Sequence, residues 1–438
     1  MQTDHAGTAP TPAFSELVQT FFKIGCLSFG GPAGQIAMMH KMLVDEKKWI
    51  AEQPYLNALN FCMLLPGPEA MQLATYIGWR LHGLRGALAA GLLFVIPGAL
   101  VMLALSMLYA AFGKLPVAEA LLVGVKAAVL AIVVEALLKI AKRGLKADAD
   151  KALAVLAFVA IFFFAVPFPV IVLAAAIFGY MRGLSATPAT PVAAIAPVPF
   201  TRTMVTIATW LVIWIVPLLG IVMAFGKDHV LSQMAWFFSK LAVVTFGGAY
   251  AVLAYMAQDV VQAFNWLRPG EMVDALGLAE TTPGPLILVT EFVGFLTAHR
   301  HGGAALGLGP YALGTLGALV AVWATFAPCF LWIMAGAPYV ERLNAEPRLR
   351  AALAAVTAAV VGVILNLTVW FAINVLFGRV TETWTGPLRL YLPDLASINW
   401  VALVLAGLAV WLMFWRHISI ITTLGICGGL ALAWHALV

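Results

Sequence analysis

Two unusual glycine and proline motifs each occur twice in this chain, at a constant separation of 217 residues. Phe29-Gly30-Gly31 recurs as Phe246-Gly247-Gly248, and Pro66-Gly67-Pro68 recurs as Pro283-Gly284-Pro285. The same separation relates two further pairs: Lys23 with Lys240, and Trp49 with Trp266. Four landmarks in one ungapped register indicate that the chain contains two copies of one folding unit.

The composition excludes a water-soluble globular protein. Hydrophobic residues make up 63% of the chain, charged residues make up 10%, and the mean hydropathy is +0.98. A soluble core of this size cannot bury that much apolar surface, so we predict a polytopic protein embedded in a lipid bilayer. Residues 1–13 are polar and lack a basic n-region, which predicts a short cytoplasmic tail without a cleavable signal peptide.

The cysteines and the net charge point to no other kind of site. The four cysteines lie scattered in apolar segments, so we expect neither a disulfide framework nor a metal site. The net charge of +5 comes from basic residues in short loops, where they report membrane topology and give no sign of nucleic-acid binding.

Apolar segments divide the chain into two halves. The first half has predicted spans at 14–40, 54–80, 86–111, 116–138 and 152–181, the last interrupted by a proline pair. The second half has predicted spans at 203–226, 230–258, 270–298, 303–335, 350–377, 396–415 and 418–437. We therefore predict an N-terminal repeat at 1–182, a Pro/Ala-rich linker at 183–202 and a C-terminal repeat at 203–438.

Basic residues set the orientation of the spans. One loop holds Lys139, Lys142, Arg143, Lys146 and Lys151, and this crowding predicts a cytoplasmic face. The span at 203–226 then turns the second repeat upside down, and its basic loop at 341–350 becomes cytoplasmic too. Lys41, Lys47 and Lys48 would lie outside if 14–40 and 54–80 each cross once. Either the neighbouring Asp45, Glu46 and Glu52 partly offset their charge, or the two segments are re-entrant hairpins, and the sequence leaves this open.

The predicted fold is all-α, a polytopic transmembrane helical bundle built from two inverted-topology repeats with helices broken at Gly and Pro. Five prolines mark the breaks: Pro32, Pro66, Pro68, Pro283 and Pro285. A broken helix exposes a half-helix N-terminus whose unpaired N–H groups and partial positive charge suit an anion. Transporters built from repeats bind their substrates at such breaks near the bilayer midplane.

The candidate substrate-binding residues lie at or beside the breaks. They combine glycine backbone, hydroxyl and amide donors, and two lysines that recur in register: Lys23, Ser28, Gly30, Gly31, Gln35, Gly67, Gln72, Lys240, Thr245, Gly247, Gly248, Thr282 and Gly284. Simpler interpretations stay open for each type. Gly-Gly also serves close helix packing, Pro-Gly-Pro also forms plain loops, and a lone lysine also snorkels to a lipid headgroup.

Two carboxylates are candidates for proton coupling. Glu69 directly follows Pro68, where it serves either as a helix cap or as a proton carrier counter to the anion. Glu291 lies shortly after the second Pro-Gly-Pro. Glu135 and Lys139 have the spacing of an ordinary i,i+4 ion pair.

Missing motifs narrow the function. The chain has no phosphate-binding loop, no nucleophile elbow, no zinc-protease motif and no dinucleotide fingerprint. We expect no cofactor, no enzyme activity and no ATP-driven pumping, so transport is either passive or driven by an ion gradient.

The paired motifs resemble those of the chromate ion transporter family in its long form, in which two homologous domains are fused. The resemblance rests on Phe-x-x-Gly-x-x-Ser-Phe-Gly-Gly-Pro at 22–32, Leu-Pro-Gly-Pro-Glu-Ala-Met-Gln at 65–72, Thr-Phe-Gly-Gly-Ala-Tyr at 245–250 and Thr-Thr-Pro-Gly-Pro at 281–285. It implies export of chromate across the bacterial inner membrane, powered by the proton motive force and giving chromate resistance.

Three alternatives remain open at this level. The first is a carrier of sulfate or a related oxyanion, and the second is an anion channel that uses the breaks as a static filter. A membrane-embedded chromate reductase is the weakest, because the chain has no flavin, haem or Cys-metal motif. A homodimer is compatible with the sequence, which does not fix the oligomeric state.

Overall fold

The computed structural model describes residues 11–29, 31–185, 200–246, 249–303, 307–340 and 346–437. Helices of the first half are α1 Phe14–Leu27, α2 Gly31–His40, α3 Glu52–Leu64, α4 Glu69–Phe112, α5 Pro116–Gly144, α6 Asp148–Phe164 and α7 Phe168–Arg182. Those that follow are α8 Phe200–Phe225, α9 Val230–Val244, α10 Ala249–Gln258, α11 Pro269–Thr281, α12 Val289–His301, α13 Pro310–Gly336, α14 Pro347–Leu376, α15 Trp400–Phe414 and α16 Ile420–Leu437. Strands β1 Val380–Thr385 and β2 Leu388–Pro393 form one antiparallel hairpin between α14 and α15.

The fold confirms the predicted all-α membrane bundle. Within the described ranges, six helical stretches are long and apolar enough to cross a bilayer: Glu69–Phe112, Pro116–Gly144, Phe200–Phe225, Pro310–Tyr339, Pro347–Leu376 and Ile420–Leu437. Residues 186–199, most of the predicted linker, lie outside the described residues, and α8 begins at Phe200, just inside the linker's predicted end. The division into two repeats at this linker stays a prediction.

All four motif segments break a helix, as the sequence predicts. The predicted spans 14–40, 54–80, 230–258 and 270–298 are each two helices in the structure. Gly31 has φ +72°, Gly67 has φ +113° and Gly284 has φ +83°, conformations that side chains with a Cβ rarely adopt. The backbone at these breaks therefore depends on glycine.

The two broken segments of the first half are re-entrant hairpins. Lys47, after α2, forms an ion pair with Glu16 at the start of α1, with 2.7 Å between Nζ and Oε1. His82 Nε2 lies 2.8 Å from the carbonyl oxygen of Pro12, so the end of the second hairpin returns to where α1 begins. This settles the open choice in favour of re-entry, and Lys41 and Lys48 lie on the same side as Lys47.

The long helix α4 is two helices joined by a turn. His82 and Gly83 leave helical geometry, and Gly83 has φ +58°. We call the parts α4a (69–81) and α4b (84–112). They pack closely, since a Cβ on Gly78 or on Gly86 would collide with the carbonyl group of the other glycine. Only α4b crosses the membrane.

The hairpins of the second half enter from the other side. Arg300, at the end of α12, pairs with Glu271 at the start of α11, with 2.8 Å between Nη1 and Oε2. His229, before α9, lies 3.0 Å from the carbonyl oxygen of Gly302. Because α8 crosses between the halves, these residues lie on the face opposite Glu16 and Lys47.

We name the two faces by their residues. The basic face carries the ends of the first-half hairpins and these side chains: Lys41, Lys47, Lys48, Arg80, Arg85, Lys142, Arg143, Lys146, Lys151, Arg182, Arg348, Arg350 and Arg416. The opposite face carries Lys114, Arg268, Glu271 and Arg300, which line shared surface pockets.

Long helices of each half pack against the other half. Helix α5 packs against α15 and α16, α14 packs against α6 and α7, and α5 and α14 touch each other. These contacts between the two halves place α5 and α14 at the centre of the molecule. Helices α6 and α7 form a hairpin, because Arg182 Nη1 lies 3.1 Å from Asp150 Oδ1.

The hairpin arrangement predicts which loops share a side of the membrane. With all four native cysteines replaced by alanine, single cysteines are introduced as Lys48→Cys, Lys146→Cys and Lys114→Cys. A membrane-impermeant maleimide should label the first two from one side and the third from the other. Labelling of Lys48→Cys from the same side as Lys114→Cys would mean that the first two segments span.

Candidate functional site

The tips of the hairpins meet through two equivalent backbone hydrogen bonds. The N–H of Gly67 donates to the carbonyl oxygen of Thr245 at 2.9 Å, and the N–H of Gly284 donates to that of Ser28 at 2.9 Å. Both partners of one bond are related to those of the other by 217 residues. Each Pro-Gly-Pro tip is therefore bound to the Gly-Gly break of the other half.

A cavity of about 230 Å³ lies against three of these tips. Its floor contains the first residues of three helices: Gly31, Pro32 and Ala33 of α2, Gly67 and Glu69 at the start of α4a, and Ala249 and Tyr250 of α10. The first N–H groups of a helix have no partner within it and carry partial positive charge. Three such ends converging on one cavity make a site suited to an anion.

One face of α5 forms the wall and leads to the basic face. It contributes Ile132, Glu135, Ala136, Lys139, Ile140 and Arg143 to the lining. Lys139 pairs with Glu135 at 2.5 Å, as its spacing predicts. Arg143 lies exposed at the mouth, and no ion pair or hydrogen bond to it is found within the described residues. Its unpaired charge attracts anions toward the cavity.

The fourth tip does not contribute to the cavity. Gly98 of α4b packs directly on Pro283 and Gly284, so no room remains there for a Cβ on Gly98. The side-chain amide of Gln35 donates to the carbonyl oxygen of Gly284 at 2.6 Å. Pro-Gly-Pro of the second half is thus buried by protein, whereas that of the first half faces the cavity.

The structure uses the predicted side-chain donors locally. Ser28 Oγ donates to Ile24 O at 2.6 Å, and the hydroxyls of Thr245 and Thr282 likewise donate to carbonyl groups of their own helices. Gln72 Nε2 donates to Pro66 O at 2.6 Å. These groups complete the helix ends next to the breaks, and none of them lines the cavity.

The two predicted lysines lie outside the cavity. Lys23 is exposed in a groove beside α2 that also contains Lys41 and Glu46. Lys240 is exposed on α9, with its ammonium 5.6 Å from the centre of the Tyr255 ring.

Of the remaining predicted residues, Gly31, Pro32, Gly67 and Glu69 line the cavity. Glu291 is buried within α12 and does not line it. Gly30, Gly247 and Gly248 lie outside the described residues.

Toward the opposite face the cavity is closed. Val125 and Val129 of α5 lie against Gly277 of α11. Beyond them, Lys126 Nζ pairs with Asp274 Oδ1 at 3.0 Å. The hydroxyl of Tyr109 donates to Asp274 Oδ2 at 2.7 Å. The state described here is therefore open to the basic face and sealed on the other side.

The sequence interpretation missed the α5 wall and Tyr250. Glu135, Lys139 and Arg143 had been assigned only an ion-pair or a topological role. A signal was present, since the lining positions of α5 recur every three or four residues and so mark one helix face. Tyr250 is the last residue of the motif Thr-Phe-Gly-Gly-Ala-Tyr and lies at the start of a half-helix, α10.

The chain is similar in sequence to known proteins over most of its length. The sequence profile of the family described as "Chromate transporter" matches residues 15–180 and 232–432. The chain is 31% identical to a chromate transport protein of Cupriavidus metallidurans over 379 residues, covering 83% of this chain and 84% of that protein. It is 32% identical to a chromate transport protein of Pseudomonas aeruginosa over 424 residues, covering 92% and 94%.

No solved structure matches the chain. The profile covers both halves, and the relatives align over most of their length. Together with the six apolar helices, these matches show that the chain is a multi-pass membrane protein and a member of the chromate transporter family.

Proposed function

We propose that this protein exports chromate across the bacterial inner membrane and so confers chromate resistance. The observation that carries the proposal is the cavity floored by three half-helix N-termini and open to the basic face. Chromate transport by the relatives supports the choice of substrate.

The charge distribution supports the direction of opening. Arg and Lys concentrate on the cytoplasmic side of inner-membrane proteins, so the basic face is the expected cytoplasmic face. The structure then corresponds to the state that loads substrate from the cell interior. Export requires a second state, open to the opposite face.

The cavity suits a tetrahedral dianion. The first turns of α2, α4a and α10, whose N–H groups have no partner within their helices, form its floor, while Arg143 supplies positive charge at its mouth. Its volume of about 230 Å³ admits such an ion together with several waters, since one water occupies about 30 Å³ of liquid. Hydrogen bonds to a fixed backbone replace the hydration that the ion loses.

Energy for export is available from the proton motive force. Moving two negative charges out of a cell across about 100 mV, negative inside, releases about 5 kcal/mol. Glu69 lines the cavity floor and is the first of the two candidates predicted for proton coupling. Glu291 is the second, because its buried Oε2 has no hydrogen-bond partner within the described residues.

Alternating access follows from the inverted hairpins. Opening to the opposite face would separate Lys126 from Asp274 and part α5 from α11, while the basic-face mouth closes. Rocking of one repeat against the other accomplishes this in carriers built from inverted repeats. A cavity closed on one side favours a carrier over a channel.

Sulfate is the second candidate substrate. It has the same charge and tetrahedral shape as chromate, and the backbone donors of the cavity floor would bind either ion. Competition between the two ions for transport would measure the preference.

Everted membrane vesicles test the export proposal. With an imposed gradient, vesicles containing the protein should accumulate chromate, and collapse of both the pH gradient and the membrane potential should abolish accumulation. Each component is also collapsed separately. Equilibration without accumulation would favour a channel, and accumulation of sulfate alone would favour the second substrate.

Replacement of Gly67 tests the site. In Gly67→Ala, the new Cβ would lie 3.0 Å from Gln72 Nε2 and 3.1 Å from Cys329 Sγ, at a residue with φ +113°. We expect the initial rate of chromate uptake into everted vesicles to fall at least about tenfold, because a shift of the tip by about 1 Å misplaces the donors.

The matched control is Gly83→Ala. Gly83 also has a positive φ, +58°, but a Cβ there meets nothing within 4 Å and lies at the basic face, outside the cavity lining. Backbone strain of about 1–3 kcal/mol is common to both variants, so thermal stability should fall in both, whereas transport should fall mainly in Gly67→Ala. Equal transport losses would assign the effect to strain alone.

A further inference from the structure

A buried carboxyl group lies one hydrogen bond away from the cavity. Glu280, at the end of α11, is 3% exposed. Its Oε1 accepts a hydrogen bond from the hydroxyl of Tyr250 at 2.9 Å, and Tyr250 lines the cavity. Its Oε2 is buried and has no hydrogen-bond partner within the described residues.

Within the described residues, no cation forms an ion pair with this carboxyl group. Glu135 of α5 lies close enough to act on it electrostatically and is itself paired with Lys139. Lys126 of α5 forms an ion pair with Asp274 of α11, so its charge is already neutralised.

In the part of the chain that the structure describes, the other elements packed against α11 bring no free positive charge to Glu280 either. Helix α12 carries the buried acid Glu291, and its Arg300 is paired with Glu271. The charged residues of α14, Arg348 and Arg350, lie in its first turn at the basic face. The titratable groups of α4 near α11 are Glu69, which lines the cavity, and Tyr109, which donates to Asp274. Those of α10 are Tyr250 and Tyr255.

A buried carboxylate without a cation is costly, and the neutral acid avoids that cost. We propose that Glu280 is a proton-binding site of this carrier, and that the proton and the oxyanion bind together. A negative charge beneath the cavity floor repels an anion in the cavity, and protonation of Glu280 removes the repulsion. Because linkage is reciprocal, the bound anion strengthens proton binding by the same factor.

The repeat relation gives the proton a route. Met63 stands 217 residues before Glu280, lines the cavity and is 45% exposed. If the two halves exchange conformations to open the opposite face, Glu280 takes the exposed position that Met63 holds here. The lining residue Thr357 corresponds in the same way to Lys126, when Pro97 is aligned with Pro328.

This inference rests on the proposed oxyanion transport and specifies its energetics. The proton accompanies the anion in the same direction, so one net negative charge leaves the cell per dianion. Membrane potential then drives export, whereas an inward pH gradient opposes it.

The test measures binding to the purified full-length protein, with chromate and sulfate as probes, between about pH 5 and about pH 9, the range in which buried carboxyl groups titrate. Wild-type affinity should fall as pH rises, by at most about tenfold per pH unit because one proton is linked. Glu280→Gln, which mimics the protonated group, should bind at all pH values as wild type does at low pH.

Two further measurements test the role of Glu280 without relying on the pH profile of Glu280→Gln alone. Tyr250→Phe removes a donor to the carboxylate, which favours the acid, so its loss of affinity should begin at higher pH than in wild type. Addition of sulfate to weakly buffered wild-type protein should take up protons, and Glu280→Gln should take up none.

The outcomes separate this inference from the proposed function. Absence of chromate and sulfate binding to wild type at every pH would overturn the proposed function. If the pH dependence of binding is unchanged in Glu280→Gln, or is lost only in Glu69→Gln, Glu280 is not the proton-binding site. The proposed function would still stand. Wild-type affinity that rises with pH would contradict joint binding of proton and anion.

Discussion

The central constraint is that backbone broken inside a membrane must find hydrogen-bond partners without help from lipid. The four breaks provide partners for one another in two pairs, since Gly67 donates to Thr245 and Gly284 donates to Ser28. Because each bond joins a tip from one face to a break from the other, the four hairpins hold together at the middle of the bundle. The long helices α5 and α14 are then free to pack across both halves.

Symmetry at the tips is broken by the side chains around them. Gln35 and Gly98 bury the second Pro-Gly-Pro, whereas the first remains beside an open cavity. The positions of Gln35 and Gln72 hold Val252 and Val289 in the second half, so the two sites differ in polarity. Glu280 and Lys126 likewise have uncharged counterparts. One fold repeated twice can thus present different chemistry to the two faces.

Much of this architecture could be predicted from the sequence. Repeated Gly-Gly and Pro-Gly-Pro located the breaks, because few other residues adopt the backbone that Gly67 adopts. Whether α1 and α2 span or re-enter could not be predicted, since their lengths allow both and the deciding contact, Lys47 with Glu16, joins distant residues.

The side chains of the site were harder to predict. The hydroxyl groups of Ser28, Thr245 and Thr282 can donate hydrogen bonds to an anion. Each, however, lies at a helix end, where an unpaired backbone carbonyl oxygen accepts its hydrogen bond instead. In the sequence, Lys139 and Arg143 indicated only which face is cytoplasmic. In the structure they also line the cavity wall that leads to the basic face. The hairpin of β1 and β2 was not predicted. Arg389 holds it to α6 by donating hydrogen bonds to the carbonyl oxygens of Ile161 and Phe162.

The most direct measurement is the location of the anion itself, by anomalous scattering at the chromium absorption edge from crystals of the protein with chromate. The expected result is a chromium peak among the first turns of α2, α4a and α10, close to Gly31 and Tyr250. Chromium found only elsewhere, for example in the pocket of the opposite face around Lys114 and Arg268, would contradict a substrate site at the hairpin tips.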